Sequence, residues 1–361
     1  MRVVFLSTPV GALGSGIGGG VELTLRTLAD GLVRNGHRVT VVAPSDSVLD
    51  GHHLEAIDGA LHVPSQTLDR RDSPSVPRNS VLVQMWRRVV ELAKHGEYDV
   101  VLNFAYDELP FRHSGECPVP VMHLVSMGSL SEVMDAAVRD AATAHPGCIA
   151  MHSRAQAATF GPEMAKLATI VASGVDVETY DFVAEPDADI AFVGRISREK
   201  GIDDAFAVSA LSGRRLLVFG LMEDEDAWRE ARLAHPKADV VHVGFLSTIE
   251  LQRRLGRCAA LVMVHRWVEA FGNVAVEALA CGVPVITYNR GGPVEIVRDG
   301  VTGFVVPVDD PAGVVEALGR LPAIDRRRCR ADAVERFSAT AFVERVEAWL
   351  RRSVAESPRA V

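Results

Sequence analysis

The chain has 361 residues, 48% hydrophobic and 24% charged, the balance of a globular protein with room for two ordinary domains. A net charge of −9 argues against a general nucleic-acid binder, and no apolar run reaches the roughly 18 residues that a membrane-spanning helix needs. The five cysteines are odd in number, widely spaced and without CxxC, which excludes a disulfide framework or a zinc site and suits reduced thiols in a cytoplasmic enzyme. The basic residues are mostly Arg, which points to a bacterial source.

Residues 3–6 read as a strand opening the chain, so no signal peptide is expected. The glycine-rich loop Gly14-Ser-Gly-Ile-Gly-Gly-Gly20 follows and contains GxGxxG at Gly14, Gly16 and Gly19. A dinucleotide fold needs those glycines directly after the first strand and an acid ending the second. Here residues 7–13 intervene, and the second strand runs out at Val42-Ala-Pro-Ser45 without an acid. A nicotinamide- or flavin-dependent oxidoreductase is therefore disfavoured. Val21, Leu25, Leu28, Ala29 and Leu32 repeat at helical spacing, Gly36 closes that helix, and residues 39–43 form the next strand. Residues 64–79, rich in Ser, Pro and charge, read as a surface loop within reach of an acceptor. Helices are expected near 80–95 and 131–144, and strands near 100–103, 119–125 and 148–152. Trp86-Arg-Arg88 and Lys94 could meet a membrane surface, but three cations on an acidic protein suit a solvated face better. His123 lies inside the apolar run Val119-Pro-Val-Met-His-Leu-Val125, where a lone histidine is ordinarily a core residue, and His152 is read as structural.

The β/α alternation restarts at Ile190-Ala-Phe-Val-Gly194, with strands near 216–219, 240–243, 260–264, 284–288 and 304–306. Ser247 and Glu250 have the spacing of a capping box. Asp187-Ala-Asp189 has the form of a metal-binding DxD but precedes a strand, and Glu223-Asp-Glu-Asp226 reads as an acidic helix start. No His/Cys group has metal-ligand spacing, so no metal is expected. Two such alternations predict an α/β protein of two Rossmann-like β/α/β domains, residues 1–172 and 173–337, followed by a terminal helical segment, 338–361. Ligands of open α/β sheets bind beyond the carboxyl ends of the strands, so the site is expected in a cleft between the two domains.

One segment concentrates the chemistry. Glu269-Ala-Phe-Gly-Asn-Val-Ala-Val-Glu277 follows the buried run Ala260-Leu-Val-Met-Val264, giving strand, loop and helix. Eight helical positions span roughly 12 Å, about the reach from a sugar across a diphosphate to a ribose. The free N–H groups near Gly272 suit a diphosphate, Glu277 a ribose diol, and Glu269 the hydroxyls of a sugar.

This motif, with Ala278-Leu-Ala-Cys-Gly-Val-Pro-Val-Ile286, Gly291-Gly292-Pro-Val-Glu-Ile-Val297 and Asp299-Gly-Val-Thr-Gly-Phe304, resembles the retaining GT-B glycosyltransferases of family GT4. The likeness is specific over residues 260–304 and weaker through most of the chain. It implies a GT-B fold whose last helix crosses back onto the first domain and whose domains close over the donor. Phe192-Val-Gly-Arg-Ile-Ser-Arg-Glu-Lys-Gly201 is similar to the family's F-x-G-R-x-x-x-x-K-G segment, which implies that Arg195 and Lys200 neutralise the departing diphosphate. Gly19 and Gly20, in Gly-Gly-x-Glu, would let the backbone approach the donor, and His123 would contact the transferred sugar. Ala270, Phe271, Gly272 and Asn273 complete the donor-binding set with Glu269 and Glu277.

The expected activity is transfer of a sugar from a nucleoside-diphosphate sugar, UDP on family grounds, to a hydroxyl or amine of a soluble small-molecule acceptor. Stereochemistry would be retained, without metal or other cofactor, the nucleotide sugar being a co-substrate. Family precedent favours same-face attack, with the leaving phosphate taking the acceptor proton. Acceptor recognition would fall on loops near 8–20, 60–80 and 104–116. A phosphorylase, synthase or epimerase using the same clamp, or a nucleotide-sugar-binding protein without transferase activity, are the rival readings. One departure bears on donor choice: where many members carry Pro-Ser, this chain has Val264-His-Arg-Trp-Val268, placing His265, Arg266 and Trp267 at the border of the sugar pocket.

Overall fold

Two separate parallel sheets organise the chain in a computed structural model that describes residues 1–15, 20–63, 70–71, 76–96 and 98–356. The strands are β1 (Arg2–Leu6), β2 (Arg38–Pro44), β3 (His53–Ile57), β4 (Val100–Asn103), β5 (Val121–Val125), β6 (Ile149–Met151) and β7 (Thr169–Ile170) in the first sheet. The second holds β8 (Ile190–Val193), β9 (Leu216–Phe219), β10 (Val240–Gly244), β11 (Ala260–Met263), β12 (Val285–Tyr288) and β13 (Gly303–Val306). The orders are β3-β2-β1-β4-β5-β6-β7 and β10-β9-β8-β11-β12-β13, and every pairing is parallel. In each, the first strand sits centrally and the order reverses beside it, the doubly wound arrangement.

One compact unit is Met1–Ser173 with Phe342–Val361. Its central strands β1 and β4 are apolar and almost wholly buried, because both faces of a parallel sheet are covered. Leu25, Leu28 and Leu32 of helix Gly20–Arg34 pack on one face, and Leu82, Met85, Trp86 and Val89 of helix Val81–Lys94 on the other. Trp86 is thus a core residue, and Arg88 is bound to Glu55 and Glu91, which leaves no aromatic anchor for a membrane contact there. The terminal helix Ala339–Glu356 sends Phe342, Val346, Trp349 and Leu350 into the core of this unit. Trp349 donates its indole N–H to the Gly147 carbonyl at 2.7 Å.

Gly174–Ala341 forms the second unit. Helix Thr248–Leu255 begins with a capping box in which Ser247 and Glu250 satisfy each other's backbone amides. Asp187 accepts two hydrogen bonds from Arg257, and Asp224, in the acidic run before helix Glu225–Ala234, caps that helix through the Ala227 amide. Among the described residues no helix is long and apolar enough to cross a membrane. All five cysteines are free thiols.

Candidate active site

In the second unit β8 and β11 are neighbours at the point where the strand order reverses, so the loops leaving their carboxyl ends diverge. A cavity of about 270 Å³ opens there, its polar lining drawn from Arg195, Lys200, His265, Glu269, Asn273 and the Gly272 backbone. The two loops are stitched together. The Arg266 amide donates to the Glu199 carbonyl at 2.8 Å, and Gly201 adopts φ +78° with its Cα so close to β11's loop that a Cβ would lie 1.9 Å from the Val264 carbonyl oxygen. Only glycine fits there, and it places Lys200 against the second loop.

Lys200 Nζ lies 2.6 Å from Glu269 Oε2, with both side chains about four-fifths buried. Trp267 Nε1 donates to the same oxygen at 3.2 Å, and the Lys200 ammonium stands 4.7 Å from the Trp267 ring centroid. Arg195 faces the outer rim, nearly half exposed, and is held by Glu223 at 2.6 Å and Glu199 at 3.4 Å. These acidic partners escaped the sequence reading. Glu199 lies four residues on from Arg195, but Glu223 reaches it from the loop after β9. Arg266 is directed away onto Asp204 at 2.6 Å, which also accepts from the Tyr288 hydroxyl. His265 donates Nε2–H to the Arg290 carbonyl at 2.8 Å, Arg290 returns a bond to the His265 carbonyl at 3.0 Å, and burial holds the imidazole pKa below its ordinary value.

Helix Asn273–Ala280 starts at Gly272 with its amino end on the cavity. The first-turn amides of such a helix have no partner within it and carry the positive end of its dipole. Glu277 lies one turn beyond Asn273 on the same face. Its carboxylate has no hydrogen-bond partner among the described residues, and burial pushes its pKa up to about 7. Ala270 and Phe271 form the loop between, with the Phe271 ring packed edge-on against Phe337. That loop rests on Gly291-Gly292: the Gly292 amide donates to the Glu269 carbonyl at 2.8 Å, and a Cβ on Gly291, at φ +75°, would lie 2.7 Å from the Glu269 amide nitrogen. Gly291→Ala is expected to displace Glu269 and to lower the melting temperature through a strain of about 1–3 kcal/mol. Melting curves of the variant and the wild type check this.

In the first unit His123 sits among protein partners. His123 is fully buried on β5, where Asn103 Nδ2 donates to Nδ1 at 3.0 Å, Ser114 Oγ lies 3.1 Å from Nε2, and Phe111 stacks on the ring at 4.1 Å. Burial pushes its pKa down to about 3. Both nitrogens and one ring face of His123 are therefore in contact with protein. His152 donates Nδ1–H to the Ala172 carbonyl at 2.6 Å. Gly19 lies outside the described residues, as does much of the 60–80 loop, whereas Gly20 opens its helix. The first unit's loops hold a network that sequence patterns do not announce: His62 joins Asp107 through Nδ1 at 3.0 Å and Ser80 through Nε2 at 2.7 Å. Asp107 and Ser80 each cap a helix, so the histidine ties the two helix starts together. A larger cavity of about 480 Å³, bordered by Cys117, His145 and Glu356, lies at the amino end of β5, the end opposite to that which binds ligands in such sheets.

Comparison with known proteins bears on the family and the fold. The Glycosyl transferases group 1 family matches residues 181–352, and Glycosyltransferase Family 4 matches residues 18–123. A D-inositol 3-phosphate glycosyltransferase of Xylanimonas cellulosilytica is 27% identical over 395 aligned positions, covering 94% of this chain and 93% of that protein. A Mycobacterium tuberculosis glycogen synthase is 34% identical over 186 positions, a match that spans 48% of this chain and only 44% of the synthase. Among solved structures, Anabaena Alr3699/HepE in complex with UDP superposes with a TM-score of 0.74 at 20% identity, covering 98% of this chain and 100% of that one. The lipopolysaccharide outer core galactosyltransferase WaaB gives 0.70 at 14%, covering 98% and 99%. At such identities the structural likeness speaks for the fold alone. With the family matches to both halves of the chain, it leads to one conclusion: the protein belongs to the group 1, GT4-type glycosyltransferases and has the GT-B fold.

Proposed function

We propose that this glycosyltransferase moves a sugar from a UDP-sugar to a hydroxyl or amine of a soluble small-molecule acceptor, retaining configuration and using no metal, in the cytoplasm. The observation that carries the reading is the placement of Lys200, Glu269 and the amino end of helix Asn273–Ala280 around one cavity, with Glu277 one turn further along. Lys200, Arg195 and the backbone at Gly272 and Asn273 hold the diphosphate, Glu277 the ribose diol and Glu269 a sugar hydroxyl. Arg195 gives up little to do so, because its exposed ion pairs are worth only about 0–1 kcal/mol. The two cations and the helix terminus supply the positive charge that a metal otherwise brings to a leaving diphosphate. Glu269 has one oxygen engaged by Lys200 and Trp267, which suits an acceptor of hydroxyl hydrogens better than a covalent nucleophile. Same-face attack then follows, the leaving phosphate taking the acceptor proton. The UDP and UDP-glucose complexes of HepE support the nucleotide, and the inositol phosphate transferase supports a small polar acceptor.

Thermal stabilisation by UDP-, GDP-, ADP- and dTDP-sugars tests this, since a ligand that binds only the folded chain raises the melting temperature according to its concentration over Kd. A UDP-sugar is expected to give the largest shift, followed by acceptor-dependent release of UDP in EDTA. A shift with NAD(P) and none with any nucleotide sugar overturns the proposal.

A further inference from the structure

The two oxygens of Glu269 are in different circumstances. Oε2 accepts from both Lys200 Nζ, at 2.6 Å, and Trp267 Nε1, at 3.2 Å, whereas Oε1 has no protein partner among the described residues. A lysine alone is a point charge on a flexible stem and leaves a carboxylate able to rotate and exchange its oxygens. A second donor on the same oxygen, from a planar ring with few rotatable bonds, removes that freedom. The indole N–H can only donate, so it cannot draw a ligand's hydroxyl hydrogen away from the carboxylate. The ring is itself held by the Lys200 ammonium 4.7 Å from its centroid, which closes a triangle of three mutually restraining side chains. The neighbouring cations do not disturb it: Arg195 is taken by Glu199 and Glu223, Arg266 by Asp203 and Asp204, and Arg290 by Asp309.

Resting on the donor site proposed above, we infer that Trp267 is a positioning residue of the sugar subsite. With Lys200 it pins Oε2 of Glu269 and leaves Oε1 as the single acceptor presented to a hydroxyl of the transferred sugar. Its influence on the donor therefore runs through Glu269, and it bears on the sugar and not on the nucleotide.

The test compares affinities for UDP-glucose and UDP, or GDP-mannose and GDP, or ADP-glucose and ADP, whichever pair binds the wild-type enzyme. Trp267→Phe keeps an aromatic ring at this position and removes the N–H donor together with part of the indole. It is expected to reduce the affinity of the nucleotide sugar relative to its nucleoside diphosphate by about tenfold, while nucleoside diphosphate affinity stays within about twofold. In a Glu269→Ala background the same change is expected to have no further effect, the mark of a residue acting through another. Melting temperatures of all variants verify that they are folded. An unchanged ratio in Trp267→Phe, an equal loss of nucleoside diphosphate affinity, or a full effect persisting without Glu269 overturns the inference while the donor site stands. Failure of the wild type to bind any of the six compounds overturns the donor site itself.

Discussion

Glu277→Gln is expected to lower affinity for the nucleotide sugar by about 100-fold or more, since hydrogen bonds to a charged acceptor contribute about 1.5–3 kcal/mol each and the amide replaces one of two acceptors with a donor. Among the described residues the carboxylate has no protein partner, and it stands one turn along a helix whose first turn lines the cavity, so its accepting capacity is open to the diol of the proposed donor. The pH dependence carries a second signature. Burial raises the folded-state pKa from 4.5 to about 7. Below pH 4.5 the group is neutral in both folded and unfolded chains and costs nothing. Between 4.5 and about 7 the unfolded chain gives up the proton while the folded chain keeps it, so stability contributed by this group falls as pH rises and levels off above 7. Glutamine has no such titration. The variant's melting temperature, relative to wild type, is therefore expected to climb across that window in the absence of ligand. With ligand the order reverses, because ribose hydroxyls favour the ionised form: wild-type affinity rises with pH towards about 7 and variant affinity stays flat. Calorimetric titration and melting curves from pH 5 to 8 check both. Equal affinities, or parallel pH profiles, would remove Glu277 from the ribose site.

How far the sequence reads this molecule depends on burial. β4 and β9 are legible to the residue because each is an apolar run in the middle of a covered sheet. β3, His-Leu-Glu-Ala-Ile, is an edge strand with no fully buried residue, so its pattern carries no strand signal, and the two-residue β7 is too short to leave one. The spacing of Glu269 and Glu277 and the glycines that support their loop are visible in the chain. The partnership of Lys200 with Glu269, 69 residues away, needs the fold to bring β8 beside β11. His123 shows the converse. Its apolar neighbours already mark it as a core residue, and the resemblance drew it towards the sugar. Asn103 from one segment and Phe111 with Ser114 from another converge on its ring, contacts that no sequence pattern announces.

Lys200→Met is expected to lower kcat by about 10²–10³-fold with a smaller change in KM, the magnitude typical of losing one preorganised charge at a developing anion. Lys200 is mostly buried, so water screens its charge poorly, and it already stands at the cavity before any ligand binds. Arg195, nearly half exposed and shared between two carboxylates, offers a screened charge, and Arg195→Ala is expected to lose no more than about tenfold. The order of the two effects separates a buried clamp from a steering residue at the rim. Removing Lys200 also strands the Glu269 carboxylate with only the Trp267 N–H, an uncompensated charge that should lower the melting temperature. The neutral double variant Lys200→Met/Glu269→Gln resolves the ambiguity this creates. It is expected to regain stability and remain inactive, because the charge needed by the leaving diphosphate is still missing. Recovery of turnover along with stability would make Lys200–Glu269 a structural ion pair and transfer the catalytic burden to Arg195 and the helix terminus.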